Sequence, residues 1–374
     1  MAEDIYFNSR KENIKKTKEN STYTEKIDAS ELKRKPGENS FGDIVTEKGK
    51  IHATVSEKPR NSSGRKGRRK KKKNPKAKKI VAIICIIFAS LFILSLGLAS
   101  YVLSDYEEKE FGENIHLEDE SELLKSPLVY NVLLMGIDTL ETQSSSRSDA
   151  MIIMSIDSKS GQIKLSSFLR DSYVYIPGYG NMKLNAACVY GGPQLVCDTI
   201  EYNFGIRIDD YAKVGYDMFI KIIDAVGGVT IPEIDATEAA ALAREGYIVE
   251  PGTDIELDGT NALKYCRIRK GQDDFYRTGR QREVITLVLK KLPFSNPLTL
   301  LRTAKDIAST IECSISKGEF ISLLFKTVLC LGGDIEQMTV PADGTWYNDT
   351  KNYQAVLVVD FDLNKEKLNE FLYN

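Results

Sequence analysis

Ala262-Leu-Lys-Tyr-Cys-Arg-Ile-Arg-Lys-Gly-Gln-Asp-Asp-Phe-Tyr-Arg-Thr-Gly-Arg-Gln-Arg-Glu283 joins a short apolar run to a helix-like one through a dense block of cations. Arg267, Arg269, Lys270, Arg277, Arg280 and Arg282 fall within sixteen residues. Read as a strand, Ala262 to Cys266 alternates its side chains, so Arg267 and Arg269 share a face. Two guanidinium forks on one face make a seat for a dianion or a pyrophosphate, because each offers paired donors in a fixed plane. The continuation from Arg280 to Leu292 reads as a helix. Arg277 and Gln281, four apart, stand on one side of it if it begins that early. A solvated, charge-rich helix start is the ordinary explanation of such a run.

Outward from this stretch, charge divides the chain. Residues 1–79 hold 24 Lys and Arg against 11 Asp and Glu; residues 104–374 hold 27 against 42. Between them Ile80 to Leu103 is apolar and uncharged. At about 1.5 Å per residue it reaches roughly 36 Å, enough for one transmembrane helix. A cleaved signal peptide fits less well, since the run is long, lies far from the N-terminus, and continues past Gly97-Leu-Ala99 as Tyr101-Val-Leu103. The basic flank 65–79 and the acidic flank Asp105, Glu107, Glu108 and Glu110 put the N-terminus in the cytoplasm and the bulk of the chain outside the cell membrane. Poor in large apolar side chains, residues 1–79 read as a disordered basic tail. Its cations suit anionic lipid headgroups. No helix-turn-helix, zinc spacing or aromatic platform accompanies them, so no nucleic acid is expected. Residues 104–127 read as an acidic linker, and 128–374 as one extracellular α/β domain.

Histidine is limited to His52 and His116, in the tail and the linker. That excludes histidine-assisted nucleophiles and His-rich zinc sites from the domain. Outside the apolar span stand Cys188, Cys197, Cys266, Cys313 and Cys330. Five is odd, and Cys313 with Cys330 is the expected disulfide, flanking a helix-like stretch. Cys266 reads as a small buried hydrophobe.

Leu128 to Asp138 is an apolar strand ending in a carboxylate, and Asp149 precedes a second strand, Met151 to Ile156. Two such carboxylates suit Mg2+, which takes one or two of them plus substrate phosphate; either alone is a common turn former. A third strand, Ile163 to Leu169, ends in Arg170 and Asp171. Ligands of α/β sheets collect beyond strand ends, which would gather Asp138, Arg170, Arg267 and Arg269; a structural ion-pair network is the alternative for Arg170 and Asp171. A short helix with a glycine stop at Gly191-Gly192 follows, then a helix from Val196 to Phe204 and a strand-then-helix from Tyr211 to Val226. Further on, Phe294 to Leu301 and Gly318 to Leu331 read as helices, Gln354 to Asp360 as a strand, and Asp362 to Tyr373 as a last helix. Trp346 suits either a sugar ring or simple packing.

Taken together, Asn131-Val-Leu-Leu-Met-Gly-Ile-Asp138, Arg147-Ser-Asp-Ala150, Leu169-Arg-Asp-Ser-Tyr173, Lys183-Leu-Asn-Ala-Ala187, Gly227-Gly-Val229 and Tyr265-Cys-Arg-Ile-Arg269 through Asp274-Phe-Tyr-Arg277 and Arg280-Gln-Arg282 resemble the LytR-CpsA-Psr family. The match is close over about 128–290 and looser beyond. The resemblance implies a mixed central sheet with helices on both faces. It also implies a membrane-anchored, Gram-positive envelope phosphotransferase, moving an anionic glycopolymer such as teichoic acid or capsule from undecaprenyl pyrophosphate to peptidoglycan. By position, Asp138 and Asp149 resemble the family's Mg2+-associated carboxylates, and Arg147, Arg170, Arg267, Arg269, Arg277 and Gln281 its pyrophosphate-binding groups. Arg170, Arg267, Arg269 and Asp171 are the expected catalytic groups. Asp149 and Asp171 both remain open as the base. Leu169 stands where proline is common in the family, which bears on substrate preference. A polyprenyl-pyrophosphate hydrolase and a non-catalytic envelope regulator are the other readings of the same features.

Overall fold

The apolar run Val129–Ile137 extends as β1 and pairs on both edges, antiparallel with β2 (Ser148–Asp157) and parallel with β6 (Asp210–Gly215). The structure, a computed structural model, describes residues 95–117, 123–137, 148–269 and 274–373. The order β10-β3-β2-β1-β6-β9 completes a six-stranded mixed sheet, with β3 at Gln162–Phe168, β9 at Glu312–Cys313 and β10 at Ile335–Val340. Successive side chains of a strand face opposite ways. Leu133 and Met135 of β1 and Met151 and Ile153 of β2 therefore enter one core, while Val132 and Ile152 enter another.

The first core is closed by a second sheet and two helices. That sheet runs β11-β12-β4-β5, from β4 (Ser172–Ile176), β5 (Gly180–Lys183), β11 (Trp346–Lys351) and β12 (Gln354–Val359). Helix α1 (Ala186–Phe204) contributes Val196, Ile200 and Phe204. It breaks where the glycine pair predicts, since Gly192 adopts φ 64° ahead of Pro193. The remaining helices are α2 (Tyr216–Ala225), α3 (Ala236–Arg244), α4 (Gly259–Arg267), α5 (Asp274–Lys291), α6 (Pro297–Ala308), α7 (Lys317–Cys330) and α8 (Phe361–Tyr373). Leu368 and Leu372 of α8 join the first core, and Ala308 of α6 and Leu323 of α7 the second. A third core forms between α2, α4, α5 and the hairpin of β7 (Val229–Ile234) with β8 (Gly252–Leu257). The mixed sheet with helices on both faces is as expected.

Three expectations change. Ala262 to Cys266 is helical: Asp258 caps α4 by accepting from the Asn261 amide (2.8 Å). Ala262, Tyr265 and Cys266 then fall on one buried face at helical spacing. A side chain at Gly259 would meet the Ile220 carbonyl oxygen at 2.4 Å, so glycine lets α4 press on α2. Arg267 is thus the last helical residue and Ile268 the turn into Arg269, and strand alternation does not relate the two arginines. Second, Cys313 and Cys330 are not bonded; all five described cysteines are buried free thiols. Cys313 lies on the edge strand β9, whereas the Cys330 thiol donates to the Asp157 carbonyl of β2. The two strands are three spacings apart, about 14 Å, beyond the reach of a disulfide.

Third, the folded part reaches back past Pro127. Tyr106 is buried and its hydroxyl donates to the carbonyls of Cys313 and Ile315, while Asn114 donates to the Asp198 carbonyl and the Glu201 carboxylate. Residues 95–102 are helical, and no helix among the described residues is long and apolar enough to cross a membrane. Residues 1–79 and most of the apolar span, 80–94, lie outside the described residues. Trp346 stacks on Phe275 (centroids 4.9 Å), the packing alternative for that side chain.

Candidate active site

Charged side chains meet at the start of β2 and beyond the end of β3, through a break in the β1–β2 ladder. Gly136 pairs with Ala150 and Ile137 with Ser148, so Asp149 is the extra residue of a bulge. Bulges re-aim a side chain at a sheet rim. Asp149 accepts from Arg170 (Nη1 to Oδ1, 2.5 Å), which stands just beyond β3. The Nε of Arg170 lies 3.6 Å from the Asp274 carboxylate and 3.8 Å from that of Asp171, with no hydrogen bond among the described residues. Asp171 in turn accepts from Lys183 of β5 at 2.7 Å.

Helix α5 brings the second half. In its first turn Arg277 donates to the Asp149 carbonyl (2.8 Å) and to the Asp274 carboxylate (3.0 Å). Both side chains are almost fully buried. Burial pushes the Asp274 carboxyl up in spite of Arg277 and Arg170 beside it, and holds the Arg277 guanidinium down in spite of Asp274. Four residues on, Gln281 shares that face of the helix, with its buried Oε1 free of a partner among the described residues. Arg267 is exposed, its guanidinium 5.2 Å above the Tyr216 ring.

Asp149, Arg267, Arg269, Arg277 and Gln281 all border one cavity of about 580 Å³. Away from them the walls are apolar: Leu134, Ile152 and Met154 from the sheet, Phe219 and Ile222 from α2, Val284, Val288 and Leu289 from α5, and Ile307 from α6. Arg170 and Asp171 do not border it; Arg170 is paired with Asp149, which does, and Asp171 lies beside Arg170. Asp138 and Arg147 lie outside the described residues. Two members of the cation block face elsewhere. Arg280 donates from Nε and Nη2 to Glu238 (3.0 and 2.8 Å) and from Nη1 to the Ile268 carbonyl, fixing the turn before Arg269. Arg282 donates to Gln337, and burial lowers its guanidinium to about 10.

Sequence reasoning missed Asp274 and Lys183 as members of the site. The i,i+3 spacing of Asp274 and Arg277 at a helix start was a signal for the first; nothing in the sequence joins Lys183 to Asp171. Among the described residues no three His, Cys, Asp or Glu side chains cluster for a metal. One or two carboxylates with a substrate phosphate suffice for Mg2+. Asp149, partly exposed at the cavity rim beside the end of β1, fits that donor set. A cavity with guanidiniums at one end and apolar walls beyond suits an amphiphile with an anionic head.

The LytR_cpsA_psr family profile matches residues 100–370. The chain belongs to that family. Among curated relatives of this LytR-CpsA-Psr protein is the polyisoprenyl-teichoic acid–peptidoglycan teichoic acid transferase TagU of Halalkalibacterium halodurans, 30% identical over 59% of this chain and 72% of that one. Another is the regulatory protein MsrR of Staphylococcus aureus, 27% identical over 74% and 85%. The fold is that of YwtF (TagT), solved with bound octaprenyl pyrophosphate lipid: TM-score 0.53, 22% identity, 72% of this chain and 96% of that one.

Proposed function

We propose that this LytR-CpsA-Psr protein is a phosphotransferase that moves an anionic glycopolymer from an undecaprenyl-pyrophosphate carrier onto peptidoglycan. The observation that carries the reading is one cavity with Arg267, Arg269 and Arg277 at its rim and an apolar body behind them. The prenyl chain lies along the apolar walls, where each buried methylene contributes about 0.8 kcal/mol. The pyrophosphate meets the guanidiniums, which neutralise it and hold it in line. A peptidoglycan hydroxyl then attacks the phosphorus that carries the glycopolymer. A new P–O bond forms, the bond to the bridging oxygen breaks, and prenyl phosphate departs. The hydroxyl proton passes to a site carboxylate, Asp149 or Asp171. Asp171, held by Lys183, also keeps Arg170 turned toward Asp149. Asp149, with Asp138 following the end of β1, would hold Mg2+, which supplies charge neutralisation on the transferring phosphoryl group.

The TagU relative's name gives a polyisoprenyl-linked teichoic acid as donor and peptidoglycan as acceptor, and the lipid in the TagT structure is a prenyl pyrophosphate; both support the reading. The apolar run 80–103 and the charge asymmetry around it support a single-pass anchor with the N-terminus inside and the catalytic domain outside. The test is transfer by the full chain in detergent with Mg2+, a prenyl-pyrophosphoryl saccharide and peptidoglycan fragments, followed by mass. A phosphodiester-linked product is expected, and Arg277→Gln should abolish it. Release of saccharide phosphate without transfer would favour the hydrolase, and transfer unchanged by Arg277→Gln would refute the site.

A further inference from the structure

The turn between α5 and α6 carries two large apolar side chains that the fold leaves in the open. Phe294 is 89% exposed and Leu298 64%. No carboxylate occurs between Glu283 and Asp306, while Lys290, Lys291, Arg302 and Lys305 fall inside that stretch. In a region of excess negative charge, 27 cations against 42 anions over residues 104–374, this turn is locally cationic. Apolar tips in a stretch whose only charges are Lys and Arg match the boundary of an anionic bilayer, acyl chains beneath and headgroup phosphates around.

The helix that begins at this turn is tied, near its far end, to the end of the apolar segment 80–103. Lys305 of α6 stands 4.0 Å over the Tyr101 ring, donates to the Ser104 hydroxyl at 3.2 Å, and lies 3.5 Å from the Asp105 carboxylate. Val102 and Leu103 pack in the same core as Ala308 of α6. The helix that begins at this turn is therefore clamped to the end of the segment read above as the anchor. Helix α5, which leads into the turn, lines the cavity as far as Leu289, five residues before Phe294, and α6 lines it with Ile307.

We propose that the α5–α6 turn is a membrane seat: Phe294 and Leu298 enter the outer leaflet while Lys290 and Arg302 meet anionic headgroups. The seat rests on the anchored reading. It sets the domain's height and tilt on the bilayer, and brings the apolar end of the cavity toward the lipid from which a prenyl chain must be drawn.

The test places single tryptophans in the full chain, reconstituted into phosphatidylglycerol–phosphatidylcholine vesicles with brominated acyl chains. In a Trp346→Phe background, Phe294→Trp should be quenched roughly twofold or more, as for a side chain at the headgroup–acyl boundary. Tyr353→Trp, at a fully exposed site in the β11–β12 turn, should be unaffected. Replacing phosphatidylglycerol with neutral lipid should weaken the first signal. A chain that floats with the vesicles but leaves Phe294→Trp as unquenched as Tyr353→Trp overturns the seat alone. A chain that does not float overturns the anchored reading and the seat with it.

Discussion

Asp274 and Arg277 form a buried ion pair, of which Arg277 lines the cavity, and a double-mutant cycle on them tests how the site is held. Their groups are 3.0 Å apart, with side-chain exposures of 11% and 4%. At an effective dielectric of about 20, two unit charges at that distance attract by roughly 5.5 kcal/mol. Burial opposes the gain, as the raised carboxyl and the lowered guanidinium both record. Asp274→Asn alone strands the Arg277 charge in a dry setting, at a cost of about 3–5 kcal/mol, whereas Arg277→Gln leaves Asp274 with Arg170 at 3.6 Å and should cost less. Together they strand none, because Arg170 keeps Asp149 at 2.5 Å. The double variant should therefore cost less than the sum of the singles, by about 1–3 kcal/mol. Urea unfolding followed by Trp346, the sole tryptophan, reads this out; its ring stacks on Phe275, the neighbour of Asp274. Additive costs would refute the view that the two charges are held by each other.

Glu201 is buried under the segment 111–116, and burial pushes its carboxyl up to about 7 from 4.5, against the bonds it accepts from Ile208 and Asn114. A raised acid favours the folded state while protonated and loses that contribution as pH rises through the folded value. Between pH 5 and 8 the wild type should lose about 3 kcal/mol relative to Glu201→Gln, measured by unfolding at both ends of that window. The five thiols should resist N-ethylmaleimide in the native protein and react on denaturation, with intact mass showing no disulfide among them. Burial pushes the Cys197 and Cys266 thiols well up, which reinforces this. Ile285→Trp, projecting into the apolar part of the cavity, should spare transfer from short-chain prenyl donors and depress it by about tenfold or more for long ones, read as a change in KM. Equal activity with both would place the chain elsewhere.

Local patterns carried much of this protein. Apolar runs bounded by turn residues marked β1, β2 and β3 because strands buried on both faces need apolar side chains throughout. The Gly191-Gly192 pair marked the break in α1, and the four-residue spacing of Arg277 and Gln281 placed both on one face of α5. Ala262 to Cys266 misled because a short apolar run fits a strand and a buried helix equally well. The capping bond from Asp258 and the close approach of Gly259 to Ile220 decide it, and the second exists only once α2 is in place. The cation block shows the same limit. All its members look alike along the chain, yet Arg277 turns to Asp149 and the cavity while Arg280 turns to Glu238, 42 residues away. Likewise the sequence established that cations and apolar segments were both abundant, and the motifs placed the chain in its family. Only the tertiary structure put Arg277 of α5, Phe219 of α2 and Leu134 of β1 on the wall of a single cavity, because the third dimension sets which faces of α2, α5 and the sheet confront each other.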